Sequence, residues 1–334
     1  MFVPASFETA LLMTVLSAVF WGSWANTFKS TKGYRFELFY WDYAVGIVII
    51  SLALALTMGS TGATGATGGT GESFVVNLRA ADASNLAYAL VAGIIFNVAN
   101  LLLVAGIDIA GLAIAFPISI GIAVVEGVVL SYALQPRGNA LYLAAGVGLA
   151  VVAIICDALA YGGLRSSRQG SKASGKGIIV NVVSGLLMGA FAPFVTKAMT
   201  TGHPLTPYSV ASLFCVGALA CCFFINIYFM RRPLVGEPVN FSGFWTASAR
   251  NHALGVFGGM VWGLGTSFNF VAASKLGVPI SYAIGQSAPM IAALWGVLVW
   301  KEFAGASRKP WIYLALMFVL YVAAVTVIAM AYQA

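Results

Sequence analysis

Apolar residues along this chain gather into ten runs, each long enough to cross a hydrocarbon core as a helix, which takes about 20 residues. They are 7–28, 39–58, 84–106, 112–134, 140–161, 176–199, 206–229, 251–273, 278–300 and 311–331. The polar stretches between them are mostly short. Basic residues sort between alternate loops. Those after odd-numbered runs hold 13: Lys29, Lys32, Arg35, Arg165, Arg168, Lys172, Lys176, Arg231, Arg232, Arg250, Lys301, Arg308 and Lys309. Those after even-numbered runs hold four: Arg79, Arg137, Lys197 and Lys275. Basic loops stay on the cytoplasmic side, so this split predicts both termini outside. The predicted class is an all-α integral membrane protein of the inner (plasma) membrane.

Composition agrees. The chain is 60% hydrophobic and 8% charged with mean hydropathy +0.94, against about 25% charged residues in soluble domains. Such a chain cannot clothe an ordinary water-facing surface. Its +7 net charge then reflects cytoplasmic loops, and no nucleic-acid partner is expected. The first run is long enough to span and is preceded by Glu8 where a signal peptide has a basic cluster, so no cleavable signal is expected. Cys156, Cys215, Cys221 and Cys222 all lie in apolar runs and read as small buried hydrophobes. No metal or cofactor is expected.

Two loops stand out. Residues 59–71, GSTGATGATGGTG, read as a flexible tether on the outer side. Residues 170–177, GSKASGKG, nearly match a phosphate-binding loop, but Gly177 stands where Ser or Thr would hold Mg²⁺, and membrane spans flank it on both sides. ATP binding is not expected there. The stretch instead falls at the joint of an internal repeat. Ser17, Gly22 and Ala25 recur as Ser184, Gly189 and Ala192 at an offset of 167, and Gly93 and Gly111 recur as Gly259 and Gly277 at 166. Residues 1–165 and 177–334 are then two five-helix repeats joined by a cytoplasmic linker, 166–176. Five is odd, so the halves enter the membrane from opposite sides, an inverted-topology build common among secondary transporters.

An ordered set of short motifs carries a resemblance. Gly22-Ser23-Trp24, Tyr40-x-Asp42-Tyr43 and Ala55-Leu56-Thr57-Met58-Gly59 occupy the first half. Gly263-x-Gly265, Gln286-x-x-Pro289, Trp295-Gly296 and Ser307-Arg308-Lys309 occupy the second. Along its whole length the chain resembles the drug/metabolite transporter superfamily, and most of all its ureide permease branch, with bacterial glucose/ribose porters and rhamnose–proton symporters as near relatives. The resemblance implies the ten-helix drug/metabolite transporter fold and a symporter, coupled to H⁺ or Na⁺, that imports a small neutral solute such as a ureide, nucleobase or sugar. A homodimer is compatible with the sequence, which does not fix the oligomeric state.

Within the spans, ionisable residues are functional candidates by default. Glu126 sits well inside the fourth run, where it either couples transport to an ion or ties helices together. Asp42 opens the second run and matches the family pattern; it complements the helix dipole, pairs with Lys29 or Lys32, or takes part in coupling. Asp157 reads as a span-end residue reaching for Arg165, and Asp108 and Glu302 as loop charges. Asn97 and Asn100 share a face of the third run, as do Trp262, Thr266 and Asn269 on the eighth and Tyr282 and Gln286 on the ninth. Their amides offer donors and acceptors, and Trp21, Trp24 and Trp262 offer flat stacking faces, so these nine are the expected substrate-binding set. The bland alternative is helix-to-helix glue and interface aromatics. Pro117, Pro193 and Pro289 are expected to interrupt their helices and act as hinges. An intramembrane enzyme is disfavoured, since the only histidines, His203 and His252, lie in or beside loops and no H-E-x-x-H occurs. An uncoupled facilitator and an amine or drug exporter remain as alternatives.

Overall fold

In hydrocarbon a chain must satisfy its own N–H and C=O groups, so long apolar runs fold as helices. The structure is a computed structural model that describes residues 1–60, 72–166 and 175–333. Helix α1 (Phe7–Ser23) continues past Trp24 into α2 (Ala25–Lys29). There follow α3 (Phe36–Leu56), the short α4 (Phe74–Ala80), α5 (Ala83–Ala110), α6 (Leu112–Leu134) and α7 (Ala140–Ser166). Then come α8 (Gly175–Thr200) and α9 (Pro207–Cys221), which passes through a π-helical turn at Cys222–Asn226 into α10 (Ile227–Arg231). The chain ends with α11 (Phe241–Trp245), α12 (Ala249–Leu276), α13 (Val278–Gly285), α14 (Ala288–Leu298) and α15 (Arg308–Met330). Starts follow capping chemistry: the hydroxyls of Ser6, Thr206 and Ser248 accept from the backbone N–H three residues on, and Pro207 takes the first turn of α9.

Among the described residues, nine helical stretches are long and apolar enough to cross a membrane. Large apolar side chains such as Leu141, Phe224 and Val319 face outward from them. That surface suits lipid and not water, and the chain is a multi-pass membrane protein. The predicted ninth run is broken into α13 and α14 by Gln286 and Ser287. Pro289 supplies the reason, since it has no N–H for an i−4 bond and suits a helix's first turn. The expected interruptions at Pro117 and Pro193 do not occur: α6 and α8 run through them. One proline deletes one rung of the ladder, and packing of α8 on α5 and α6 carries both helices past the gap.

Helix α5 packs on α8 and α9, α12 packs on α1 and α3, and α7 pairs with α15. Glycines set the closest approaches, backbone against backbone. Gly93 of α5 lies on the Phe214 carbonyl of α9, and Gly259 of α12 lies on the Tyr43 carbonyl of α3. Gly217 of α9 lies on the Leu90 carbonyl, and Gly46 of α3 on that of Val256. These contacts interchange when residues of α5 are shifted by 166 and residues of α3 by 171. Gly111 (φ 82°, ψ 157°) ends α5 and opens α6; Gly277 (φ 86°, ψ 151°) does the same between α12 and α13. A positive φ at both joints favours glycine.

Part of the predicted linker (residues 167–174), with it most of the phosphate-loop-like stretch, and residues 61–71 of the Gly/Thr/Ala run lie outside the described residues. Gly175, Lys176 and Gly177 open α8. Lys176 Nζ donates to the Leu234 carbonyl (3.1 Å), and Gly177 packs on Ala110. All four cysteines are buried and free.

Candidate functional site

A cavity of about 720 Å³ opens between α1, α5, α7, α8, α12 and α14. Ligand pockets run about 300–1,000 Å³, so it suits one small solute. Its floor is aromatic and sits at mid-bundle. Phe96 and Trp262, at the midpoints of α5 and α12, stack at 4.4 Å and 24°. Trp21 continues the stack on Trp262 at 6.0 Å and 20°. The Trp21 indole N–H donates to Thr266 Oγ1 (3.0 Å), which fixes the ring's orientation. Trp24 leans on Tyr43 at 4.9 Å.

Three neutral amides line this chamber, Asn26 toward the mouth and Asn100 and Gln286 deeper in. Asn100 Nδ2 donates to the Tyr40 hydroxyl (3.1 Å), leaving its Oδ1 without a donor among the described residues. Gln286 stands in the gap between α13 and α14, and its side chain has no hydrogen-bond partner among the described residues. The gap itself is held open by small residues. A Cβ on Gly285 would meet the Trp21 ring at 2.6 Å and Asn269 Nδ2 at 2.7 Å, and one on Gly22 would strike the backbone of α14.

The mouth is polar and lies at the end of the bundle bearing Lys29, Arg35, Arg231 and Arg308. The chain after α14 curls back, with Glu302 N–H donating to the Gly296 carbonyl (2.9 Å) and Lys301 at φ 51°. Glu302 is thereby set between Lys29, with which it forms an ion pair, and the Tyr161 hydroxyl, which donates to it at 3.1 Å. Gly296 makes the room: a Cβ there would sit 2.6 Å from both Glu302 Oε2 and the Tyr161 oxygen. Lys29 also lies over the Trp300 ring (4.4 Å), whose N–H donates to Asn26 Oδ1 (2.5 Å). Asp157, one turn before Tyr161 on α7, joins the wall.

The opposite end is stitched shut. Asn85 Nδ2 donates to the Thr201 and His203 carbonyls, Asp82 accepts from the His203 N–H (2.9 Å), and Asn77 bridges the Pro204 carbonyl and Thr206 N–H.

Of the expected binding set, the cavity brings together Trp21, Trp24, Asn100, Trp262 and Gln286, with Pro289 beside them. Four others lie off its wall. Asn97 turns to the π turn, where its Oδ1 faces Cys222 Sγ (3.6 Å). Thr266 orients Trp21, Asn269 Nδ2 donates to the Ser281 carbonyl (2.9 Å), and the Tyr282 hydroxyl lies 3.2 Å from both the Ala123 and Met188 carbonyls. Glu126 packs over Gly189 between α6 and α8, away from the cavity. Pro117 and Pro193 are likewise off the wall. Asp42 pairs with neither Lys29 nor Lys32. It accepts from Tyr34 (2.8 Å) and from His252 Nδ1 (2.9 Å), tying the loop before α3 to the first turn of α12. Burial and the Asp42 carboxylate together hold the Tyr34 hydroxyl above its ordinary range. Sequence reading missed Phe96, Phe191, Asp157, Tyr161 and Glu302. The spacing of Asp157 and Tyr161, one helical turn apart, was the available signal.

A family model described as ureide permease matches residues 164–331. The chain is 22% identical to Ureide permease 1 of Arabidopsis thaliana over 389 aligned residues, covering 98% of each. It is 20% identical to Ureide permease 4 of the same plant over 397, again covering 98% of each. A protein of known crystal structure shares the fold with TM-score 0.67 at 17% identity, covering 98% of this chain and 99% of that one. A helical bundle around a solute-sized chamber, matched by the family model across half the chain and by relatives along nearly all of it, places the chain in the ureide permease family, whose members are transporters and not enzymes.

Proposed function

We propose that this chain is a secondary active symporter, driven by a proton or sodium gradient, that imports a small neutral polar solute of the ureide or nucleobase kind. One observation carries the reading: the cavity sets the Asn100 Oδ1 and the Gln286 amide, neither partnered among the described residues, beside the flat stack of Phe96, Trp262 and Trp21. A ureide or nucleobase has a flat face and an edge of alternating N–H and C=O. The face suits the aromatic stack, and the edge suits an acceptor and a donor–acceptor amide. The relatives bear the name ureide permease, which points the same way.

The transport cycle in this proposal uses ten crossings, the ninth made of α13 and α14 with their break at the site. The two halves, 1–165 and 177–334, form the inverted repeat. The interchange of glycine contacts and the matched joints at Gly111 and Gly277 support this. With the basic loops in the cytoplasm and both termini outside the inner (plasma) membrane, the chamber faces inward, and the stitched end is the closed outer gate.

Proteoliposome uptake tests the reading. Labelled ureide, uracil and glucose are offered under an inward proton gradient, an inward sodium gradient, or neither. The expected result is accumulation of ureide or uracil under one gradient only, competed by the other solute. Accumulation of glucose alone, or equilibration unaffected by either gradient, overturns it.

A further inference from the structure

Two acids of the spans line the cavity, Asp108 and Asp157. Asp108 is exposed and has a partner of its own. Asp157 is 2% exposed, and its Oδ1 has no hydrogen-bond partner among the described residues. Across the α7–α15 seam, Tyr321 is fully buried, and its hydroxyl also lacks a partner among the described residues. An anionic oxygen left bare in an apolar wall is costly, and such groups call for an explanation. Glu302 needs none, since Lys29 and Tyr161 satisfy it.

Resting on the transport reading above, we propose that Asp157 is the group on which the coupling proton rides. It carries the proton while the solute is bound, donating its O–H to a carbonyl oxygen of the ureide, and releases the proton once the chamber has emptied. Only the Asp157 O–H bond forms and breaks. The proton comes from hydronium on the uptake side and returns to water on the delivery side. A proton needs one oxygen, whereas a hard metal cation needs about six. Among the described residues no three His, Cys, Asp or Glu side chains cluster.

The groups facing Asp157 are few. Its own helix offers Cys156 and Tyr161, and α15 offers Tyr321. Helix α6 carries Glu126, which faces α8, and α14 carries no ionisable side chain. Glu302 with Lys29 stands beyond Tyr161, and Asp108 belongs to the opposite wall.

Two measurements test the assignment, one of them without any solute. The first is the infrared difference spectrum of the purified full-length protein between alkaline pH and a mildly acidic pH at which exposed carboxylates stay ionised. Wild type and Glu126→Gln should show a protonated-carboxyl C=O band that Asp157→Asn lacks. The second uses proteoliposomes with an internal pH dye and allantoin, a cyclic ureide, as probe. Asp157→Asn, whose amide N–H replaces the O–H toward the solute, should lose gradient-driven accumulation and allantoin-induced proton influx together, while allantoin counterflow is weakened but present. Asp157→Glu should recover part of both, and it serves in the infrared arm if the Asn variant fails to fold. A C=O band that survives in Asp157→Asn and vanishes in Glu126→Gln overturns the proposal. So does wild-type accumulation by Asp157→Asn, or a chamber that exchanges only cationic amines and loses them in that variant. If wild type moves no allantoin, the transport reading fails while the infrared arm still decides where the proton sits.

Discussion

Replacing Gln286 with alanine separates a ligand-binding amide from a structural one. In the free protein this side chain has no hydrogen-bond partner among the described residues and stands half-buried on the cavity wall. Its removal therefore strands nothing, and stability should change by no more than about 0.5 kcal/mol. A bound ureide would take a donor and an acceptor from it. Two such bonds at about 0.5–1.5 kcal/mol each amount to about 1–3 kcal/mol. At 1.4 kcal/mol per decade, Kd should rise about 5- to 150-fold. Asn269→Ala is the matched control. It leaves the buried Ser281 carbonyl without its 2.9 Å donor, costing about 1–3 kcal/mol of stability, and leaves Kd unchanged. Titration calorimetry and thermal melts on detergent-purified protein read both quantities. Wild-type Kd with a lowered melting temperature in Gln286→Ala, or weakened binding with an unchanged melt in Asn269→Ala, would refute the reasoning.

Other outcomes follow from the packing and the charges. Gly93→Ala and Gly259→Ala should each destabilise by about 1–3 kcal/mol and to a similar extent, because each pushes a methyl into a carbonyl of the facing helix; unequal melts would break the equivalence. Asp42→Asn weakens the contacts of both Tyr34 and His252, and each charge-assisted bond contributes about 1.5–3 kcal/mol, so the melting temperature should fall while solute affinity holds; lost affinity with normal stability would place Asp42 at the site. All four native cysteines are buried, so an impermeant maleimide should report introduced ones alone. Cysteine at Thr201 should label from outside intact cells and cysteine at Glu237 only after permeabilisation; the reverse pattern inverts the proposed orientation.

Much of the bundle is legible as apolar run length, because a membrane span has one way to satisfy its backbone. The matches at Gly93–Gly259 and Gly111–Gly277 were legible for a related reason. Those positions demand glycine through close approach or positive φ, so they resist drift. Facing was harder to read. Asn97 and Asn100 are three residues apart, about 60° around the helix, and that angle separates the π turn from the cavity. Thr266 and Asn269 share Trp262's face but lie about 6 Å and 10 Å further along α12, beneath the aromatic floor. Glu126 is mid-span as read, yet depth does not say which neighbour a side chain meets, and Gly189 offers it a surface on α8. Asp157 and Glu302 were discounted because position near a span end says nothing about a chamber that reaches that end. Pro289 stands at a helix break while Pro117 and Pro193 do not, so the presence of a proline in an apolar run does not by itself tell an interruption from a continuous helix.

The glycine contacts have one more consequence. Gly46, Gly93, Gly217 and Gly259 each fit a carbonyl belonging to the other half of the chain. The halves therefore recognise each other by backbone contour, a shape that survives almost any change of surrounding side chains. None of these four contacts involves the stretch between Ser166 and Gly175. Two separately translated polypeptides, split there, should then associate in the bilayer and co-purify, and failure to co-purify would show that the contour alone is not enough.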